Sequence, residues 1–116
     1  MSFTITADAF TDEEDAVAKL EARGCAVVVR DVADGGADLH WHDFEAITAV
    51  LSGRITVTDT DGVTCVCGPG QLLEAPARTL HSEAVEAGRV VFGFPDGFPA
   101  RDQPIDRDPA DHPDRA

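Results

Sequence analysis

His40 and His42 stand two residues apart around Trp41, at the start of an apolar, strand-like run, and His81 follows at the end of a Pro-containing turn. On a strand, residues i and i+2 point to the same face. His40 and His42 therefore aim both imidazoles into one space. Imidazole is the commonest side-chain metal ligand at neutral pH. Two imidazoles from one strand and a third from another suffice for a divalent ion with open positions, and open positions are what metal chemistry needs.

Other groups offer chemistry less directly. Cys65 and Cys67 share one strand face. Thiolates bind zinc, but with no second cysteine pair the plainer reading is small core residues; facing the interior, they would line a pocket. Arg30 interrupts an apolar strand. Turned inward its fork would anchor a carboxylate; turned outward it is a solvated surface charge. Phe44 and Phe92 read as a pocket wall or as core. Trp41 falls on the face opposite the histidines and reads as packing. His112 lies among prolines and aspartates and is expected at the solvent.

The elements that must position these groups are mostly strands. Thr11-Asp12-Glu13-Glu14 matches a capping box with Thr11 as N-cap, and Gly24 supplies a stop, so one short helix is expected over Asp12–Arg23. Before it, Phe3–Thr6 reads as an edge strand. After it come Cys25–Val32, a turn at Asp34-Gly35-Gly36, and then Leu39–Leu51, which carries the histidine pair. Arg54–Thr60, Val63–Cys67, Leu72–Glu74, His81–Val85 and Arg89–Phe94 follow. Turn signals every ~8–12 residues mean an all-β sandwich or barrel. In the Leu39–Leu51 run both faces are apolar, so one lines the interior and the other is hidden by the helix or by a second subunit. From Pro95 onward prolines alternate with aspartates and arginines. An extended or disordered acidic tail over 99–116 is expected, adding little to the core and nothing to a metal.

The chain has 116 residues, a length that fits one domain, and a formal charge of −13 from 22 acidic and 9 basic residues. Nucleic-acid binding needs a basic footprint that is missing, and an anionic membrane surface would repel the chain. A small-molecule substrate or ligand fits better. Met1–Phe10 lacks the basic start and long apolar stretch of a secretion signal, and no apolar run approaches the ~20 residues of a membrane span. The three cysteines then read as reduced thiols of a cytoplasmic protein.

Two segments together resemble the motifs of the cupin superfamily, the RmlC-like jelly rolls. The first reads GGADLHWHDFEAITAVLSG, from Gly35 to Gly53, and the second GQLLEAPARTLHSEAV, from Gly70 to Val85. The resemblance implies a double-stranded β-helix, a jelly-roll barrel over 25–98, preceded by a strand and one short helix in 1–24. It implies a metal in the barrel interior on His40, His42 and His81, and a homodimer. Two departures from the motifs matter. Counting back from Gly53, the family's ligand Glu falls on Ala46, and Glu45 is one residue early; on a regular strand that puts it on the opposite face. A three-histidine site is therefore expected, unless a bulge turns Glu45 inward. In the second motif Arg78 replaces a Gly, so a non-glycine residue must hold that turn.

The expected activity is that of a metal-dependent dioxygenase or related oxidoreductase on a small organic molecule, with one divalent ion per chain. Iron is favoured over manganese, nickel or zinc. The competing readings are a non-catalytic module that binds a small molecule, and a sugar-type isomerase or epimerase using His81 with Glu83 or Glu74 as an acid–base pair.

Overall fold

The computed structural model describes residues 3–99 and 106–112. β1 (Thr4–Thr6) precedes α1 (Glu13–Ala22), and then come β2 (Ala26–Val32), β3 (Gly35–His40), β4 (Ala46–Val50), β5 (Arg54–Asp59), β6 (Thr64–Cys67), β7 (Leu72–Ala75), β8 (His81–Glu86) and β9 (Gly88–Phe94). All pairings are antiparallel. One sheet has the order β1-β7-β4-β9-β2 and the other β3-β8-β5-β6. The expected all-β architecture with one N-terminal helix is what forms.

α1 starts one residue later than the capping box suggests. Asp12, not Thr11, is the N-cap, accepting from the Asp15 amide at 2.8 Å, and the Asp15 carboxylate accepts from the Thr11 amide at 2.9 Å. The reciprocal logic holds with Asp15 in the role expected of Glu14. Ala16 and Leu20 from α1 pack on Ile47, Ala49 and Val91, all fully or almost fully buried. Burying a leucine such as Leu20 is worth about 2 kcal/mol. The outer face of β4 is thus hidden by the helix. Its inner face, with Val50, joins Ile55, Val57, Leu73 and Val90 in the core between the sheets.

The Leu39–Leu51 run is not one strand. β3 ends at His40 in one sheet and β4 begins at Ala46 in the other. Residues 41–45 carry the chain across, with an isolated bridge at Trp41. Of the expected turn at 34–36, only Asp34 is a bend; Gly35 and Gly36 begin β3. Gly36 matters there: a Cβ at that position would meet the Glu83 carbonyl oxygen at 2.3 Å, so only glycine lets β3 approach β8 this closely.

Cys67 is buried in the inter-sheet core with Cys65 packed against it, and neither belongs to the metal-ligand cluster described below, so the core reading of the pair is the one the structure supports. The Cys67 thiol donates to the Gln71 carbonyl at 3.5 Å, and burial pushes its pKa up to about 11.

Of the expected tail, residues 100–105 and 113–116 lie outside the described residues. Residues 106–112 pack against the 41–43 crossing. Trp41 and Arg107 exchange backbone hydrogen bonds, the Trp41 indole donates to the Asp108 carbonyl at 2.9 Å, and the Arg107 guanidinium lies 5.3 Å from the indole centroid. The expectation of a solvent-exposed His112 is incorrect. It is 7% exposed, its ring meets Trp41 edge-on, and its Nε2 lies 2.6 Å from the Arg78 carbonyl. Composition alone suggested solvent because the partners, Trp41 and Arg78, are far away in sequence.

Candidate metal centre

β3 and β8 bring the first two imidazoles together. Their register shifts between Ala37 and His40, so Ala37 faces Glu83 and His40 faces His81 directly. The bulge places an extra residue on β3 and re-aims His40. The His40 and His81 ring centroids lie 4.3 Å apart. His42 arrives on the crossing segment, its ring 4.8 Å from His40 and 5.2 Å from His81. The Arg78 amide donates to the His42 carbonyl at 2.7 Å and ties the crossing to the loop before β8. Arg78 has φ of +63°, the left-handed conformation that the missing glycine would have taken easily, at a cost of ~1–2 kcal/mol for a side-chain-bearing residue. The bonds to His42 and His112 hold it there.

The fourth member of the cluster is Glu83. Ligand atoms of His40, His42, His81 and Glu83 all lie within 4.8 Å of one another. Glu83 sits two residues beyond His81 on β8 and so shares its face. The same parity rule that pairs His40 with His42 could have found it; the sequence reading used Glu83 only as a candidate acid–base partner. Glu45, the alternative fourth ligand, is exposed and outside the cluster. Its placement follows from the crossing at 41–45, where strand parity does not apply.

The histidines are held in a metal-ready form. His40 Nδ1 lies 2.6 Å from the Asp38 carbonyl oxygen and His81 Nδ1 lies 2.8 Å from that of Thr79. A carbonyl only accepts, so each Nδ1 carries the proton and donates. In the neutral ring Nε2 is then a bare lone pair. His40 is 4% exposed, and its Nε2 is buried with no hydrogen-bond partner. It lies 3.1 Å from Glu83 Oε1, close enough for an ion pair but not aligned as a hydrogen bond. Two lone-pair donors facing one another across a buried gap fit a shared cation. Glu83 Oε1 also lies 3.8 Å from His81 Nε2. Burial disfavours a charged His81, but Glu83, the Thr79 carbonyl and Asp106 outweigh it and leave the His81 pKa raised. Glu83 is lowered in turn, mainly by His81. Asp106 stands at the edge of the cluster, 3.6 Å from His42 Nδ1 and 3.8 Å from His40 Nε2.

The cluster opens onto a cavity of about 690 Å³, a size suited to a small organic ligand. His42, His81 and Glu83 form its polar end. Phe44, Phe92, Phe94 and Phe98 contribute aromatic lining, linked in sequence by ring contacts from His42 outward. Ala46 and Thr48 face it from β4, as strand parity suggests.

A model of the cupin domain matches residues 27–92, more than half of the chain. The chain belongs to the cupin family. Among solved structures, this cupin is similar to a protein of the DUF861 family from Thermotoga maritima, with 20% identity over 80% of this chain and 99% of that one and a TM-score of 0.56. An RmlC-like cupin from Shewanella frigidimarina shares 23% identity over 66% of this chain and 68% of that one, with a TM-score of 0.50. An oxalate decarboxylase from Bacillus subtilis, described as having Mn(II) centres, shares 22% identity over 71% of this chain but only 24% of that one, with a TM-score of 0.52. At these identities the likeness is one of fold. No curated protein matches the cupin's sequence. Among the described residues no helix is long and apolar enough to cross a membrane.

Proposed function

We propose that this cupin is a metal-dependent enzyme, a dioxygenase or related oxidoreductase, that acts on a small organic molecule. The observation that carries the reading is the buried His40 Nε2, without a hydrogen-bond partner, grouped with His42, His81 and Glu83, which form the polar end of the cavity. His40, His42 and His81 would hold one divalent ion, with Glu83 as a fourth donor. Three imidazoles and one carboxylate suit iron and manganese, and also nickel and zinc; iron is favoured, because a metal beside an apolar cavity suits oxygen chemistry. A bound divalent ion supplies Lewis acidity and, when redox-active, a route for electrons to dioxygen.

The chain's own residues do the rest. Asp38 and Thr79 fix the imidazole tautomers through their carbonyls. The phenylalanine wall excludes water and takes up the apolar part of a substrate. The same wall argues against a sugar-type isomerase, whose polyhydroxylated substrate would need many hydrogen-bonding partners. The reading includes a homodimer and a cytoplasmic setting. The exposed Val63 and Val66 beside and on β6 offer apolar surface for a partner, and the three cysteines are free thiols.

Oxygen consumption by iron-loaded protein over a panel of small organic molecules tests the reading. Turnover that disappears in His81→Ala supports it. Ligands that bind in the cavity while no panel member is ever consumed would make the protein a non-catalytic binding module.

A further inference from the structure

Every described lysine and arginine except one holds a carboxylate. Lys19 pairs with Asp15, Arg23 with Glu74, Arg54 with Glu86, Arg78 and Arg107 with Asp43, and Arg89 with Glu13 and Asp31. Arg30 has no ion pair or hydrogen bond among the described residues, in a chain with 22 acidic residues to choose from. It also lines the cavity that holds His42, His81 and Glu83. On β2 the alternating residues Val28, Arg30 and Val32 all line that cavity, so strand parity turns Arg30 inward. β2 is an edge strand of its sheet, and Arg30 stays solvent-accessible there. Arg30 is exposed and also lines the cavity, so the two readings open in the sequence, a solvated charge and a cavity-facing one, both hold in the structure.

We propose that the cavity takes a small molecule with an apolar body and a carboxylate, and that Arg30 binds the carboxylate. The inference rests on the metal reading above for what happens at the other end of the ligand. A divalent ion among three neutral imidazoles and the Glu83 carboxylate leaves the centre positive. Arg30 adds a second positive charge, and even with Asp106 counted the cavity stays net positive. Such a cavity attracts an anion although the chain as a whole would repel one. A guanidinium meets a carboxylate with two parallel hydrogen bonds, which fixes orientation as well as charge. Phe44, Phe92 and Phe94 then receive an aryl or branched alkyl body. Arg30 is a binding residue in this scheme and takes no part in the redox step.

The test is calorimetric titration of the purified protein, as isolated and after metal stripping, with phenylacetate and isovalerate, each beside its own carboxamide. Acid and amide share a shape and differ in charge. The native protein binds the acids roughly ten- to a hundredfold more tightly than the amides. Arg30→Gln removes that preference with metal content unchanged, and Arg30→Lys keeps part of it. Acids that bind no better than amides, or a preference that survives in Arg30→Gln, overturn the inference. If the surviving preference vanishes on metal stripping, the ion is the carboxylate site, and the metal reading stands without Arg30. If the protein takes up no metal yet shows an Arg30-dependent preference, the metal reading fails and the inference about Arg30 stands.

Discussion

His40 Nε2 and Glu83 Oε1 lie 3.1 Å apart, on neighbouring strands, with no hydrogen bond between them. In the neutral ring, whose proton is held at the Asp38 carbonyl, the first is a bare nitrogen, and the other is a carboxylate oxygen. Two acceptors at that separation, in a buried site, repel one another unless a cation joins them. The β3 bulge and the close approach at Gly36 exist at the point where they bring this pair together.

Glu83 and Glu45 should therefore behave differently. Glu83→Gln keeps the shape and removes the charge, and metal affinity should fall by roughly ten- to a hundredfold. Glu45→Gln should leave it unchanged. Metal titration of both variants decides the point; equal losses would mean that the 41–45 crossing rearranges to bring Glu45 inward.

The contrast shows what was legible in the sequence. His40, His81 and the strand rhythm could be read because they depend on local strand and turn signals, and the i, i+2 spacing singled out His42 although it sits on the crossing, off the strand. Parity also gave the two faces of β4 correctly. It failed for Leu39–Leu51 as a whole, because no local signal says that the chain changes sheets between His40 and Ala46. Glu45 lies outside the cluster, as counting back from Gly53 had implied, although it sits on the crossing rather than on a regular strand. β3 starts earlier than expected, at Gly35, because glycines that read as a turn serve there for close strand approach. Glu83 was legible by the i, i+2 rule, but the family motif drew attention to Glu45 instead. The role of His112 was not legible, because it depends on Trp41 and Arg78 across more than thirty residues of intervening chain.

His112 should matter for stability. His112→Ala removes the 2.6 Å contact to the Arg78 carbonyl and the edge-on contact with Trp41. A loss of about 2 kcal/mol is expected from one buried hydrogen bond and one ring contact. Chemical denaturation of the metal-free protein measures it without interference from the ion. A change near zero would show that residues 106–112 do not stay docked in solution.

Cys67 should be unreactive. Its thiol is pushed to about 11 from an ordinary 9.0 by burial, so it is protonated, and not nucleophilic, at mildly alkaline pH. Alkylation followed by peptide mass analysis should label Cys25 and Cys65 before Cys67. Early labelling of Cys67 would mean that the core between the sheets opens readily.

The central claim is that His40, His42, His81 and Glu83 hold a metal, and elemental analysis of protein purified without added metal tests it most directly. The expected result is about one divalent ion per chain, falling to near zero in His40→Ala/His42→Ala. A native protein that stays metal-free even after reconstitution, or a double variant with full occupancy, would contradict it.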